Sequence, residues 1–365
     1  MTRIALFVPD LRIGGAERVF LTLAKAFAER GHTVDLVLAR AEGELLPEIP
    51  TNVRTIDLRA GKPGPGLIGL GISTTLKLVG YLQREQPTAL LSTLTGANLA
   101  ALLAHKLARS NTRVVVREAS SLRNLKHPAR LYLMRWFYSR ADTVIALTRT
   151  MRKELIYRLK LEPHQVTVIP NPIGLKKLQQ MAGEPFDHPW FKANSPPVII
   201  GVGRLVPEKD FVTLIRAFAI VRQQVEARLL ILGEGIMRPY LEECIAELDL
   251  NAAVEMPGFD SNPYRWLAGA RLLVSSSLWE GYPNVILEAQ MLGISVVATA
   301  YDDSIIEVLD PQNHKNVVPV SNPEALASTI IKILRDDPHV ANKRLASGTQ
   351  DLIDRYLQTM NVSPN

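Results

Sequence analysis

Cysteine is nearly absent from this chain of 365 residues. Cys244 is the only one, so neither a disulfide nor a cysteine-built metal site can form within one chain. It falls in a helical pattern, 240–245, as a buried packing residue, and such scarcity suits a reducing cytoplasm. Long apolar runs are also missing. The run at 4–8 stops at Pro9-Asp10, too short for a signal segment or a membrane span, and reads as a buried strand. The stretch 67–82 is broken by Lys77 and reads as loop and helix. There is no low-complexity tract, no short-period repeat, no Asp-x-Asp and no His/carboxylate cluster at ligand spacing. The pairs Asp302-Asp303 and Asp336-Asp337 read as loop and helix-end charges.

What is present describes a globular protein too long for one core, with 47% hydrophobic and 21% charged residues. The net charge of +6 hides a division. Residues 1–172 hold 25 Lys and Arg against 13 Asp and Glu, whereas the remainder holds 17 against 23. A basic first half implies an anionic partner there. Apolar runs at 4–8, 34–38, 89–92, 114–117, 143–146 and 166–169 alternate with helical patterns such as 16–29 and 98–108. The second half repeats the plan at 198–202, 228–231, 253–256, 272–275 and 295–298. Continuous Val/Ile/Leu runs mark strands buried on both faces, hence parallel sheets. Four prolines within 183–197 mark a linker. The expected fold is α/β: a Rossmann-like domain at 1–182, the linker, and a second at 198–345, both doubly wound and facing a cleft. A C-terminal helix at 346–362 packs back on the first domain.

The densest chemistry lies in Glu280-Gly281-Tyr282-Pro283-Asn284-Val285-Ile286-Leu287-Glu288. A strand at 272–274 runs through Ser275, Ser276 and Ser277 to the first carboxylate. Pro283 is expected in the first helical turn, where its missing N–H is not needed, and Glu288 one turn on. A helix start that can bind an anion, flanked by two carboxylates that can hold hydroxyls, suits a nucleotide sugar. Gly201-Val202-Gly203-Arg204-Leu205, then Glu208-Lys209-Asp210, brings two cations near one spot after a glycine turn, as a diphosphate leaving group requires. Gly14-Gly15-Ala16-Glu17 opens a helix after the first strand, with the same potential toward phosphate. Gly233-Glu234-Gly235 and Gly258-Phe259 mark two more strand ends suited to a nucleobase.

Taken in order, Gly203-Arg204-Leu205 with Lys209, Gly233-Glu234-Gly235, Gly258-Phe259 with Asn262-Pro263-Tyr264, and Glu280 through Glu288 resemble the retaining glycosyltransferases of family 4, which have the GT-B fold. Gly14-Gly15-Ala16-Glu17 and Ile169-Pro170-Asn171-Pro172 fit the same family, so the resemblance runs over nearly the whole chain. The wording from Ser275 to Val285 is similar to bacterial enzymes that build surface polysaccharides and lipid-linked oligosaccharides. The resemblance implies that Arg204 and Lys209 hold the donor diphosphate, completed by backbone N–H groups near Asn284 and Val285 and by the Gly14–Gly15 turn. Glu288 would take the ribose, Glu280 the transferred sugar. Gly203, Glu234, Gly258 and Phe259 would line the donor site. It implies no cofactor and no metal, and substitution on one face with the leaving phosphate helping to deprotonate the acceptor.

Two loops depart from the family pattern: Tyr301-Asp302-Asp303-Ser304-Ile305-Ile306-Glu307 stands where a Gly-Gly-x-x-Glu turn is usual, and Asn313-His314-Lys315-Asn316 replaces a glycine-containing turn. The first leaves open both the sugar and reduced activity. Glu118, after the strand at 114–116, is read either as an acceptor-side group or as a salt-bridged loop end. The segment 123–140 interleaves Arg and Lys with Leu, Trp, Phe and Tyr, read either as a helix in a membrane interface or as an amphipathic helix with an aromatic core face. No nucleic-acid motif appears. The expectation is a cytoplasmic enzyme, peripheral on the cytoplasmic face of the inner membrane. It would move a hexose or N-acetylhexosamine from a nucleotide sugar, UDP-linked, to a growing glycan on a polyprenyl diphosphate. The alternatives are a sugar-nucleotide epimerase of the same fold and a catalytically silent protein that binds membrane or glycan.

Overall fold

The computed structural model describes residues 2–12, 14–61, 67–123, 125, 128–336 and 349–363, with 67–70 described by backbone alone. The chain divides into two compact units, one of Met1–Ile173 with Ser347–Asn365, the other Gly174–Ala346.

Unit 1 carries strands β1 (Arg3–Val8), β2 (Thr33–Leu38), β3 (Arg54–Asp57), β4 (Ala89–Thr93), β5 (Arg113–Arg117), β6 (Thr143–Ala146) and β7 (Val166–Val168). All pair in parallel, in the order β3-β2-β1-β4-β5-β6-β7. Helices α1 (Gly15–Glu29), α2 (Leu67–Glu85), α3 (Thr95–Ala108), α4 (Pro128–Tyr138) and α5 (Arg149–Leu159) make the crossovers. The central strands are apolar on both sides because helices cover both faces; Ile4 through Val8 are all buried. Sequence patterning missed β3. It is an edge strand with mostly exposed side chains, held by charge rather than by apolar burial. Arg54 donates to both oxygens of Asp35 at 2.8 and 2.6 Å, and the Tyr81 hydroxyl donates to the same carboxylate at 2.7 Å. The apolar stretch expected as loop and helix is helical over all of α2.

Unit 2 begins with α6 (Leu175–Ala182). Strands β8 (Val198–Val202), β9 (Arg228–Leu232), β10 (Val254–Gly258), β11 (Leu272–Ser275), β12 (Ser295–Thr299) and β13 (Val317–Val318) follow, interleaved with α7 (Phe211–Arg222), α8 (Arg238–Glu247), α9 (Pro263–Gly269), α10 (Asn284–Met291), α11 (Ser304–Val308) and α12 (Pro323–Asp336). The order is β10-β9-β8-β11-β12-β13, again all parallel. Residues 183–197 lie within this unit, where Phe186, His188 and Phe191 surround Trp266, the Phe186 and Trp266 rings 4.5 Å apart. Cys244 is buried in the core. Asp336 closes α12, and Asp337 lies outside the described residues.

A last helix, α13 (Thr349–Thr359), belongs to unit 1. Ile353, Tyr356, Leu357 and Met360 are buried in the same core as Ile4, Leu6 and Phe27. Residues 346–348, where this helix was expected to begin, lie outside the described residues. No described helix is long and apolar enough to cross a membrane.

Each sheet has its order reversal between two central strands, β1 beside β4 and β8 beside β11. Crossovers leave such a pair in opposite directions, opening a crevice past the strands' C-terminal ends. That end of unit 2 is where most of the candidate residues come together.

Candidate functional site

Two loops meet beyond β8 and β11. The first leaves β8 through Gly203 and Arg204 into a short 3-10 turn, Pro207–Lys209. Asp210, at φ 45°, ends that turn and caps α7 by accepting from the Thr213 N–H. The second leaves β11 through Ser276 and Ser277 toward α10. Backbone contacts pin the loops together: Leu278 N–H donates to the Glu208 carbonyl at 2.8 Å, and the Ser276 hydroxyl to the Lys209 carbonyl at 2.8 Å.

The pinning brings Lys209 onto Glu280. Its ammonium donates to Glu280 Oε1, and the Ser277 hydroxyl donates to the same oxygen at 2.7 Å. Both partners are largely enclosed, retaining 17% and 13% of their side-chain exposure. Two donors thus converge on Oε1, while Oε2 accepts no hydrogen bond among the described residues. Arg204 remains 74% exposed, 3.7 Å from Glu208. Gly203 gives Lys209 its path, since a Cβ there would sit 3.0 Å from Lys209 Cε.

Pro283 lies just before α10, not inside it as the sequence suggested; the helix starts at Asn284. The Asn284 N–H is engaged, donating to the Tyr282 carbonyl at 3.0 Å, which leaves Val285 as the better placed of the two amides to meet an anion. Glu288 is the fifth residue of α10, and the Tyr264 hydroxyl donates to its Oε1 at 3.1 Å. Tyr264 is itself buried in α9, which Asn262 caps. Ser277 and Tyr264 orient the two glutamates, Ser277 from three residues back in the same loop and Tyr264 from α9, twenty-four residues away, and no spacing rule singles them out.

Glu234, Gly258 and Phe259 gather at the ends of β9 and β10. Arg238 holds Glu234 at 2.8 Å and donates to the Met256 carbonyl at 3.0 Å. This ion pair keeps the exposed Glu234 carboxyl below its ordinary range. Gly258, at φ 92°, adopts a backbone that side chains rarely take, and a Cβ there would lie 2.9 Å from Glu234 Oε1. Phe259 is half exposed beside them. Gly233 is more constrained still: a Cβ would fall 1.9 Å from the Gly203 carbonyl oxygen. The glycines at these strand ends therefore let neighbouring loops touch backbone to backbone.

In unit 1, Gly14 and Gly15 open α1 past β1, with the Glu17 carboxylate folded back against Gly14. Burial raises the Glu17 carboxyl above its usual range. Glu118 follows directly on β5. It is fully buried, accepting from Tyr138 at 2.6 Å, from Thr95, and from the N–H groups of Ala119 and Ser120 at 3.1 and 3.0 Å. Asn98 extends the network to Tyr138, the Arg117 carbonyl and Ser92. Burial outweighs these bonds and raises the Glu118 carboxyl. The network thus joins β5, α3 and α4.

Within α4, Met134 and Tyr138 face the core, while Tyr132, Leu133 and Arg135 are exposed. Trp136 lies under Arg140 at 3.8 Å and Lys106 at 4.7 Å from its ring centre. Asn124, Lys126 and His127 of the basic segment lie outside the described residues. No group of three or more metal-capable His, Cys, Asp or Glu side chains occurs among the described residues.

The model of the family described as Glycosyl transferases group 1 matches residues 184–349, and that of Glycosyltransferase Family 4 matches residues 13–177. A Campylobacter jejuni protein named N-acetylgalactosamine-N,N'-diacetylbacillosaminyl-diphospho-undecaprenol 4-alpha-N-acetylgalactosaminyltransferase is 27% identical, over 92% of this chain and 91% of its own. A lipopolysaccharide core biosynthesis glycosyltransferase of Rhizobium meliloti is 26% identical, over 96% of this chain and 97% of its own. The Anabaena protein HepE, solved in complex with UDP-glucose, has a similar fold, with a TM-score of 0.73 at 20% identity, over 99% of this chain and 97% of that one. The two family models between them take in nearly the whole sequence, each over its own unit, and the chain belongs to the family 4 glycosyltransferases, with their GT-B fold.

Proposed function

We propose that this glycosyltransferase moves a hexose or N-acetylhexosamine from a UDP-sugar onto a growing lipid-linked glycan, without a metal and with retention of configuration. The observation that carries the reading is the meeting of Lys209, Ser277 and Glu280 beyond β8 and β11. Lys209 and Arg204 neutralise charge that grows on the diphosphate as the bond from the sugar's anomeric carbon to phosphate oxygen breaks. The acceptor oxygen forms the new bond on the same face, and its proton passes to the departing phosphate. Glu280, held through Oε1, turns Oε2 toward a sugar hydroxyl. Glu288, fixed by Tyr264, accepts from the ribose, and the Val285 amide at the start of α10 assists the phosphate. The names of the Campylobacter and Rhizobium relatives support an acceptor in lipid-linked or lipopolysaccharide assembly.

The membrane that holds such an acceptor is met by α4 of unit 1. Tyr132 and Leu133 are 69% and 39% exposed beside Arg135, the combination that settles into an anionic interface. The enzyme works peripherally, on the cytoplasmic face of the inner membrane.

The test is incubation with a panel of nucleotide sugars, with and without a bacterial lipid extract, followed by mass spectrometry. Release of UDP and a lipid product heavier by one sugar is expected. Release of no nucleotide from any donor overturns the reading. Sedimentation with anionic vesicles tests α4: Tyr132→Ser with Leu133→Ser should weaken binding, and unchanged binding removes the membrane role.

A further inference from the structure

The loop after β12 departs from the family pattern, and the end of β12 is bonded to the segment that carries Glu280. The Thr299 hydroxyl donates to the carbonyls of Ser275 at 3.3 Å and Ser277 at 2.5 Å, tying the end of β12 to the loop that carries Glu280. The Tyr301 N–H then donates to the Thr299 carbonyl at 3.0 Å, so Tyr301 is fixed to that same frame. Its hydroxyl is shut away from solvent and makes no well-formed hydrogen bond among the described residues. Ser304 lies nearby, outside well-formed hydrogen-bond geometry, with its own hydroxyl donating to Asp302. Burial first, and then the charge of Glu280, hold the phenol above its usual range, so it keeps its proton at neutral pH. A protonated donor with no proper partner is an unfavourable arrangement to build into a site. A sugar hydroxyl bound to Glu280 would supply the missing acceptor.

We propose that the Tyr301 hydroxyl donates a hydrogen bond to the transferred sugar beside Glu280 and so sets which sugar the enzyme accepts. This rests on the UDP-sugar reading above and adds the group that distinguishes one sugar from another. Tyr301→Phe keeps the ring and removes only the hydroxyl.

The experiment uses the full-length enzyme and its Tyr301→Phe variant. UDP binding is measured by calorimetry, and UDP release is followed with UDP-glucose, UDP-galactose, UDP-N-acetylglucosamine and UDP-N-acetylgalactosamine. The variant should bind UDP within about twofold of the wild type and lose on the order of 10- to 100-fold in kcat/KM with the preferred donor. The spread across the four donors should narrow. Unchanged kcat/KM for all four overturns the proposal, as does an equal loss of UDP affinity, which would place the hydroxyl in the nucleotide site or the fold. Lys209→Ala separates the two readings. Weaker UDP binding in that variant, with Tyr301→Phe like the wild type, sinks only the role of Tyr301. A wild type that neither binds UDP nor consumes any of the four donors removes both.

Discussion

Replacing Lys209 by Met strands Glu280 in its enclosure with Ser277 as the remaining donor to its carboxylate. The pair retains 17% and 13% exposure, between the surface limit and full burial. Exposed pairs contribute up to about 1 kcal/mol, whereas breaking a buried pair costs roughly 3–5 kcal/mol. A loss of about 2 kcal/mol follows, and for a unit the size of Gly174–Ala346 that lowers the melting temperature by roughly 4–8 °C. Adding Glu280→Gln removes the stranded charge while the amide oxygen still accepts from Ser277. The double variant should therefore recover about 1 kcal/mol relative to Lys209→Met. Sugar transfer should stay lost in both, because the site needs the ammonium and the carboxylate whatever the stability. Scanning calorimetry of the wild type, both single variants and the double variant gives the coupling, and UDP release gives the activity. The reasoning is refuted if Lys209→Met melts within about 1 °C of the wild type, or if the double variant melts no higher than Lys209→Met.

Two further outcomes follow from the geometry. Gly233→Ala places a Cβ 1.9 Å from the Gly203 carbonyl at φ 147°, so it should destabilise unit 2 by at least about 2 kcal/mol and abolish UDP binding; a variant with wild-type melting and binding would contradict the contact. Glu118 has a carboxyl raised by burial, so its contribution to stability is full below its ordinary value of 4.5 and is lost as pH rises through the folded value. The stability of the wild type relative to Glu118→Gln, measured by urea unfolding, should accordingly fall as pH climbs past 4.5, and a difference independent of pH would refute the assignment.

Much of the fold was readable along the chain because parallel strands buried on both faces become continuous apolar runs. Where burial was not the holding force, the pattern was silent. β3 stays in the sheet through Arg54 and Asp35, and β13 is only two residues long. Glu118 shows the same limit at the level of a site. A strand-end acid reads alike whatever surrounds it, and only the tertiary structure places Tyr138, Thr95 and two amides around Glu118.

The sequence alone determined two parallel α/β units, the glycine turns at their strand ends, and the order of charged residues that resembles family 4. Those features are local: periodicity, backbone freedom and spacing are properties of neighbouring residues. The tertiary structure decided which charges meet. Lys209 and Glu280 are seventy-one residues apart and touch because β8 and β11 are neighbours in the sheet, while Tyr264 reaches Glu288 because α9 and α10 leave adjacent connections. Sheet order is fixed by packing across the whole unit, and no stretch of sequence states it.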